Sequence, residues 1–175
     1  MEKSSKRRPT GFSRFLDWAV WILLAVAVFN FFSKKDTGPQ LGETAHFVQV
    51  APLAEPGLIE LPGKRERPLL IKAFASWCAA CKGASWYDTP ASAIEKGSLE
   101  VLAVSVDASR EDAARAARDW PIRVPVAHDS TGEFARHYNI RLLPTYVLIG
   151  SDGKVQRVSS GVPGPLDLRA WSQAR

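Results

Sequence analysis

The longest apolar segment of the chain lies at residues 15–32, where Asp17 and Asn30 are the strongly polar residues. A helix of roughly 17–25 predominantly apolar residues crosses a bilayer, and aromatic side chains favour the two membrane interfaces. Trp18 and Trp21 fit such an interface near the start of the segment. The pattern therefore predicts a transmembrane anchor at residues 15–32.

The basic residues around this segment predict its orientation. Five Lys or Arg precede it and two follow it, and the more basic flank of a membrane helix stays in the cytoplasm. We therefore interpret residues 1–14 as a basic cytoplasmic tail, with the rest of the chain across the membrane. A cleaved signal peptide is disfavoured because no small-x-small site follows the apolar run, and residues 9–11 do not continue a twin-arginine signal.

Polar and turn-forming residues at 33–45 predict a linker, which leaves residues 46–175 as one folded domain. Its first stretch, 46–61, is apolar but interrupted by prolines, which indicates one or two edge strands. Leu69–Ala75 is an apolar strand that runs directly into a helix start at residues 78–82. Further segments predict strands at 99–106, 124–127, 145–149 and 155–159, and helices at 90–97, 109–119, 129–138 and 165–171. This alternation predicts a mixed α/β sheet with helices on both faces.

The net charge of +5 is confined to one end of the chain. Residues 1–35 contain seven Lys or Arg and two Asp or Glu, and the remaining 140 residues contain 16 of each sign. A neutral domain has no basic surface for a phosphate backbone, so we expect no nucleic-acid partner.

Cys78 and Cys81 are the two cysteines of the chain, and they form a C-x-x-C pair. As a structural disulfide, a four-residue loop would contribute only about 2 kcal/mol in the chain-entropy account. A zinc site needs four ligands, and the three histidines show no paired spacing, so no metal is expected. Redox chemistry requires this spacing, because a second thiol one helical turn away can resolve a mixed disulfide.

The predicted placement of Cys78 favours the redox interpretation. At a helix N-terminus, the macrodipole and the unpaired backbone N–H groups stabilise a thiolate. A thiol with a pKa of about 8.5 is roughly 3% ionised at neutral pH, whereas a pKa of about 7 makes about half of it reactive. Cys81 would be shielded one turn further along the helix.

Residues 74–82 resemble the active-site stretch of membrane-anchored, periplasmic thioredoxin-like proteins of the TlpA type, and residues 143–145 resemble the cis-proline loop of that family. The similarity spans roughly residues 68–172. Together with the anchor, the ending at residues 164–171 is most similar to the ScsD-like protein disulfide oxidoreductases, a branch associated with copper tolerance.

The resemblance implies a thioredoxin fold and a role for each matching position. Cys78 would be the exposed nucleophile and Cys81 the resolving thiol. Trp77 would pack beside the site. Pro144 would be cis, so that the backbone of Leu143 faces the substrate chain.

The sequence departs from the family at three positions. Ala80 replaces a proline that many relatives have before the second cysteine. Lys72 stands where thioredoxin has a buried acid, and Ala84 stands where some relatives have a Glu, so the proton acceptor for Cys81 is unassigned. Lys72 either extends its ammonium group to solvent or lies behind the disulfide. In the second position it would favour a thiolate by its charge or act as a base.

These observations predict an enzyme, a protein disulfide oxidoreductase that needs no cofactor beyond the Cys78–Cys81 disulfide. The resemblance implies protein thiols and disulfides as substrates, a membrane electron donor of the DsbD type, and a single-pass location in the bacterial inner membrane with the domain in the periplasm. We favour the reductase direction. The alternatives are a disulfide-donating oxidant that uses the same residues and a non-enzymatic module for copper(I) handling or redox sensing.

Overall fold

The computed structural model describes residues 18, 20–26, 39–85, 94–164, 166, 167 and 171. Two compact units divide the chain, Met1–Asp36 and Thr37–Arg175. In the first unit, the described residues between 18 and 26 are helical, with exposed side chains. No helix in the described ranges is both long and apolar enough to cross a membrane. Most of the predicted anchor at 15–32 lies outside those ranges.

The second unit is built on one seven-stranded sheet with the strand order β2-β1-β5-β4-β3-β6-β7. Strands β3, β4 and β5 are parallel to one another, whereas β6, β7, β1 and β2 pair antiparallel with their neighbours. This arrangement confirms the predicted mixed sheet. The strands are β1 (Val48–Pro52), β2 (Ile59–Leu61), β3 (Leu69–Phe74), β4 (Glu100–Ser105), β5 (Val126–His128), β6 (Thr145–Ile149) and β7 (Val155–Ser160).

Strand β3 lies at the centre of the core, and all six of its side chains are buried. Because neighbouring strand residues point to opposite faces, Ile71 and Ala73 pack into one apolar cluster. Leu70 and Phe74 belong to the clusters of the other face. Both faces of the sheet are therefore covered, as the apolar pattern of β3 predicts.

Three helices of the second unit are fully described, namely α1 (Ala79–Ala84), α2 (Arg110–Asp119) and α3 (Glu133–His137). Helix α2 begins where the sequence predicts, because the Ser109 side chain accepts a hydrogen bond from the backbone N–H of Asp112. Residues 94 and 95 and residues 166, 167 and 171 are also helical. The rest of the predicted helices at 90–97 and 165–171 lies largely outside the described residues.

Some predicted boundaries differ from the structure. Strand β1 lies between β2 and β5, so β2 is the one edge strand that residues 46–61 supply, and β7 forms the opposite edge of the sheet. Strand β5 begins two residues later than predicted, at Val126. Helix α3 begins at Glu133, although Asp129 still caps it, because its carboxylate accepts from the backbone N–H groups of Phe134 and Ala135. The positions of β1 and β5 depend on pairing between distant segments, which local pattern does not show.

Residues at the end of the predicted linker pack against the β6–β7 hairpin. The backbone N–H of Gly42 donates to the carbonyl of Val155, and that of Ala45 donates to Gly153. Thr44 forms an isolated bridge with Lys154, and the side chain of Ala45 is buried. The described residues 39–45 thus belong to the same compact unit as the sheet.

Tyr138 provides a test of packing on the α3 side of the sheet. Its hydroxyl donates to the carbonyl of His46 at 2.8 Å, and burial raises the pKa of Tyr138 well above its ordinary value. Above about pH 10 the unfolded chain loses this proton while the native chain keeps it, so stability should fall as pH rises, by about 1.4 kcal/mol per pH unit. The Tyr138→Phe variant should lack this contribution. Urea unfolding of both proteins between about pH 9 and pH 11 checks this, and parallel pH curves would contradict it.

Candidate active site

Cys78 and Cys81 form a disulfide at the start of helix α1, with their Cα atoms 5.2 Å apart. Cys78 is the N-cap residue of the helix, in an extended backbone conformation. Its Sγ accepts a hydrogen bond from the backbone N–H of Cys81 at 3.1 Å. In the reduced protein, an N–H group directed at this sulfur favours its ionised form. The predicted position of Cys78 at a helix N-terminus is therefore confirmed.

The two sulfur-bearing residues differ in their access to solvent. Cys78 keeps 7% of its surface exposed, whereas Cys81 keeps none. An attacking thiolate can therefore reach Cys78 alone. The predicted order of exposure is correct, although Cys78 shows only one edge to solvent instead of standing fully exposed.

Apolar residues surround the disulfide on its inner side. Both cysteines share a buried cluster with Phe74, Ala103 and Ala116. The side chain of Leu143 packs against this cluster from the loop before β6. The disulfide therefore packs on buried apolar side chains, whereas the turn that precedes α1 is exposed to solvent at Trp77.

Trp77 lies on the open side of the site. Its side chain is 72% exposed, and the resemblance implies that it packs beside the site. Leu142, on the loop before β6, is also largely exposed. Large exposed apolar side chains that flank a reactive group are typical of a surface that binds a partner.

The loop before β6 has the predicted backbone form, because the Leu143–Pro144 peptide bond is cis. The Leu61–Pro62 bond is also cis, and no feature of the sequence predicts this isomer. Pro144 is buried, and its carbonyl accepts from the backbone N–H of Gly161 at 2.7 Å. Within the described part of the chain, the backbone N–H and C=O of Leu143 take part in no hydrogen bond.

Lys72 lies behind the disulfide, on the face of β3 that carries Phe74. It is only 5% exposed, so the interpretation in which its ammonium group reaches solvent is wrong. Its Nζ donates to the Ser85 hydroxyl at 2.9 Å, and that hydroxyl donates to the carbonyl of Cys81 at 2.8 Å. The buried Lys72 is thus connected to Cys81 through one side chain.

A buried polar network close to Cys78 is absent from the sequence predictions. It contains Ser76, Ser105, Asp107 and His128. The signal that could have revealed it is the position of Asp107 just beyond a buried parallel strand. The carboxyl ends of the parallel strands β3 and β4 meet at one edge of the sheet, which also carries the Cys78 turn.

Among the side chains that the structure describes, no three His, Cys, Asp or Glu residues are grouped closely enough to hold a metal ion. The rings of His46 and His137 lie 5.5 Å apart, whereas His128 belongs to the network near Cys78. The described residues therefore supply only the two sulfurs for a soft metal at this site.

Comparison with known proteins gives consistent results. The Redoxin family matches residues 42–169, more than half of the chain. Thiol-disulfide oxidoreductase ResA of Oceanobacillus iheyensis is 28% identical over 148 residues, which cover 80% of this chain and 77% of that protein. A solved structure assigned as thiol:disulfide interchange protein DsbE from Chlorobium tepidum is 27% identical with a TM-score of 0.67, and the match covers 78% of this chain and 95% of that one.

The structure of StoA from Bacillus subtilis is also similar. It is 20% identical with a TM-score of 0.60, and the match covers 73% of this chain and 97% of that one. At this identity the similarity shows a shared fold alone.

Proposed function

Because the chain belongs to the Redoxin family and is a thioredoxin-like thiol–disulfide oxidoreductase, we propose that Cys78 and Cys81 form its redox couple and that protein disulfides are its substrates. The observation that carries this proposal is the Cys78–Cys81 disulfide at the start of α1, with exposure restricted to Cys78. A structural disulfide would need neither the unequal exposure nor the N-cap position. No further cofactor enters the reaction.

In the reductive direction, the thiolate of Cys78 attacks one sulfur of a substrate disulfide. The bond between Cys78 and that sulfur forms as the substrate disulfide breaks, and the leaving thiolate takes a proton. Cys81 then loses its proton and attacks Cys78, which releases the second substrate thiol and leaves the Cys78–Cys81 disulfide. Two electrons pass from the dithiol to the substrate, and the spacing of one helical turn makes the second step intramolecular.

The loop before β6 provides a surface for the substrate chain. The backbone groups of Leu143 make no hydrogen bond to described residues, and the Leu143 side chain packs against the cluster that holds both sulfurs. An extended substrate segment can add its backbone to such groups in the manner of an extra strand. Trp77, next to Cys78 in the chain, and Leu142, next to Leu143, add large exposed apolar side chains.

We assign the domain to the periplasmic side of a bacterial inner membrane, with residues 15–32 as a single-pass anchor. The basic residues before that segment support this orientation. A reductase in an oxidising compartment must be recharged after each turnover, so electrons have to arrive across the membrane. A membrane donor of the DsbD type fits this need, and an anchor would keep the domain near it.

An equilibrium titration against glutathione tests the reductase direction. Because direction follows from the reduction potential, the full chain should equilibrate near the value of about −270 mV found for thioredoxin. A potential near the value of about −120 mV found for a strong oxidant would instead assign the same residues to disulfide donation. If Cys78 and Cys81 do not convert reversibly between dithiol and disulfide in this titration, the proposed function is wrong.

Lys72 is proposed to modulate the resolving thiol. A cation behind the disulfide favours the thiolate form of a nearby cysteine and so stabilises the reduced protein. The Lys72→Met variant should therefore have a higher Cys81 pKa. Its equilibrium should shift toward the disulfide by up to about tenfold, which lowers the reduction potential by about 30 mV.

The matched control is Lys154→Met, which removes the same charge at an exposed position of the β6–β7 hairpin. It should leave both the thiol pKa and the potential unchanged. If the thiols of the Lys72 variant titrate as in the unaltered protein, Lys72 has no part in the mechanism.

A further inference from the structure

A buried carboxylate lies beneath the turn that carries Cys78. Asp107, just beyond the end of β4, is almost fully buried. Its two oxygens accept from the backbone N–H of Ser76 at 3.0 and 2.9 Å, and one of them accepts from the Ser76 hydroxyl at 2.8 Å. The hydroxyl of Ser105 donates to the other oxygen at 2.7 Å. Every contact of the carboxylate is with a donor, as an ionised carboxylate requires.

The Ser76 contact brings this charge close to the reactive sulfur. The backbone N–H of Cys78 donates to the carbonyl of Ala75 at 3.0 Å, which closes the turn that contains Ser76. Two residues of chain separate the Cα atoms of Ser76 and Cys78 by at most about 7.6 Å. The carboxylate of Asp107 therefore binds the chain two residues before Cys78, where a negative charge disfavours a thiolate.

The rest of the network fixes Asp107 in place. Its backbone N–H donates to the Ser105 hydroxyl, and its carbonyl accepts from Nε2 of His128 on β5 at 2.8 Å. Because a carbonyl can only accept, Nε2 carries the hydrogen in this contact. The backbone of Asp107 is thus held by β4 and β5 at once, whereas its carboxylate bonds to Ser76 and to Ser105 of β4.

We propose that Asp107 is a positioning residue that holds the Cys78 turn through Ser76 and restrains thiolate formation at Cys78 by its charge. This inference rests on the proposed role of Cys78 as the nucleophile. A buried negative charge near a thiol disfavours the thiolate, destabilises the reduced state and lowers the reduction potential. Lys72, the buried cation of this region, connects instead to Cys81 through Ser85. The carboxylate of Asp107 thus contacts the turn before Cys78, whereas the ammonium group of Lys72 contacts the side chain that bonds to Cys81.

Two substitutions in the full chain test the inference with opposite expected signs. Asp107→Asn keeps the size of the side chain and an oxygen for the Ser76 N–H, but it removes the charge. We expect a lower Cys78 pKa. The equilibrium should shift toward the reduced form by up to about tenfold, which raises the reduction potential by about 30 mV. Ser76→Ala keeps the charge but removes one donor that offsets it. We expect the Cys78 pKa to rise and the potential to fall.

The measurements are the pH dependence of Cys78 alkylation by iodoacetamide in the reduced chain and the equilibrium with glutathione. Asp119→Asn, which removes an exposed carboxylate at the end of α2, is the matched control and should change neither quantity. Shifts of the same sign in both variants, or an Asp107→Asn variant that behaves like the control, would reduce Asp107 to a structural role and overturn the proposal.

Two serine variants test the same proposal without a change to Asp107 itself. If Asp107→Asn does not fold, Ser76→Ala and Ser105→Ala carry the test, since each removes one donor and each must raise the Cys78 pKa. An unchanged or lower Cys78 pKa in both serine variants would also overturn the proposal. The alkylation measurement needs no substrate turnover. Failure of the unaltered chain to reduce a protein disulfide would therefore count against the proposed function, whereas the pKa shifts would still decide the role of Asp107.

Discussion

Replacing Cys78 with serine is expected to lower insulin reduction by the full chain to the rate seen without enzyme. Insulin reduction driven by a small thiol reductant is the measurement. A serine hydroxyl is not ionised at neutral pH and cannot form a disulfide, so the first step of the exchange is lost. Because Cys81 is fully buried, it cannot replace Cys78 as the attacking group.

The Cys81→Ser variant is the informative comparison for this result. It keeps the nucleophile and should react once with a substrate disulfide, but it cannot release the product through the second step. Catalytic turnover should therefore fall in both variants, whereas a covalent adduct should form only when Cys78 is present. Substantial turnover by the Cys78→Ser variant would show that a different residue makes the attack.

Replacing Phe74 with alanine is expected to cost about 3–5 kcal/mol of unfolding free energy. Phe74 is fully buried at the end of β3, and its ring lies 5.9 Å from that of Trp120. It also shares a cluster with both cysteines, so the cavity would open directly beneath the disulfide. Urea unfolding of the oxidised full chain, followed by tryptophan fluorescence, measures this loss.

Phe47→Ala is the matched control for the same chemical change at the surface. Phe47 is 62% exposed, so its removal should change stability by no more than about 0.5 kcal/mol. Equal losses in the two variants would contradict the placement of Phe74 beneath the active site. A small loss for Phe74→Ala would mean that the neighbouring side chains can close the space that the ring occupies.

The elements that sequence predicts well are those set by local pattern. Strand β3 is visible as an apolar run, and α2 begins at Ser109 because a capping side chain lies beside the backbone groups it satisfies. The place of β1 inside the sheet was not predictable in this way. Its pairing with β5 joins Pro52 to Ala127 across most of the domain, and no local feature of either segment encodes that contact.

The same distinction holds for the active site. Cys78 and Cys81 are recognisable because their chemistry depends on residue type and short spacing, and Pro144 is recognisable because residues 143–145 resemble the cis-proline loop of a known family. The Asp107 network is not, since Ser76 and Asp107 are 31 positions apart. Lys72 illustrates the difficulty most clearly. A lysine is usually solvated, and only its contact with Ser85, 13 positions away, shows that it points into the protein.

Covalent trapping is the most direct test of the claim that Cys78 makes the attack and Cys81 releases the product. The full chain with Cys81→Ala should be expressed in its native host, and mixed disulfides should be isolated under non-reducing conditions and mapped by mass spectrometry. We predict that substrate proteins are attached through Cys78 and that the adducts disappear on reduction and in a Cys78→Ser, Cys81→Ala double variant. The absence of any adduct through Cys78 would contradict the account.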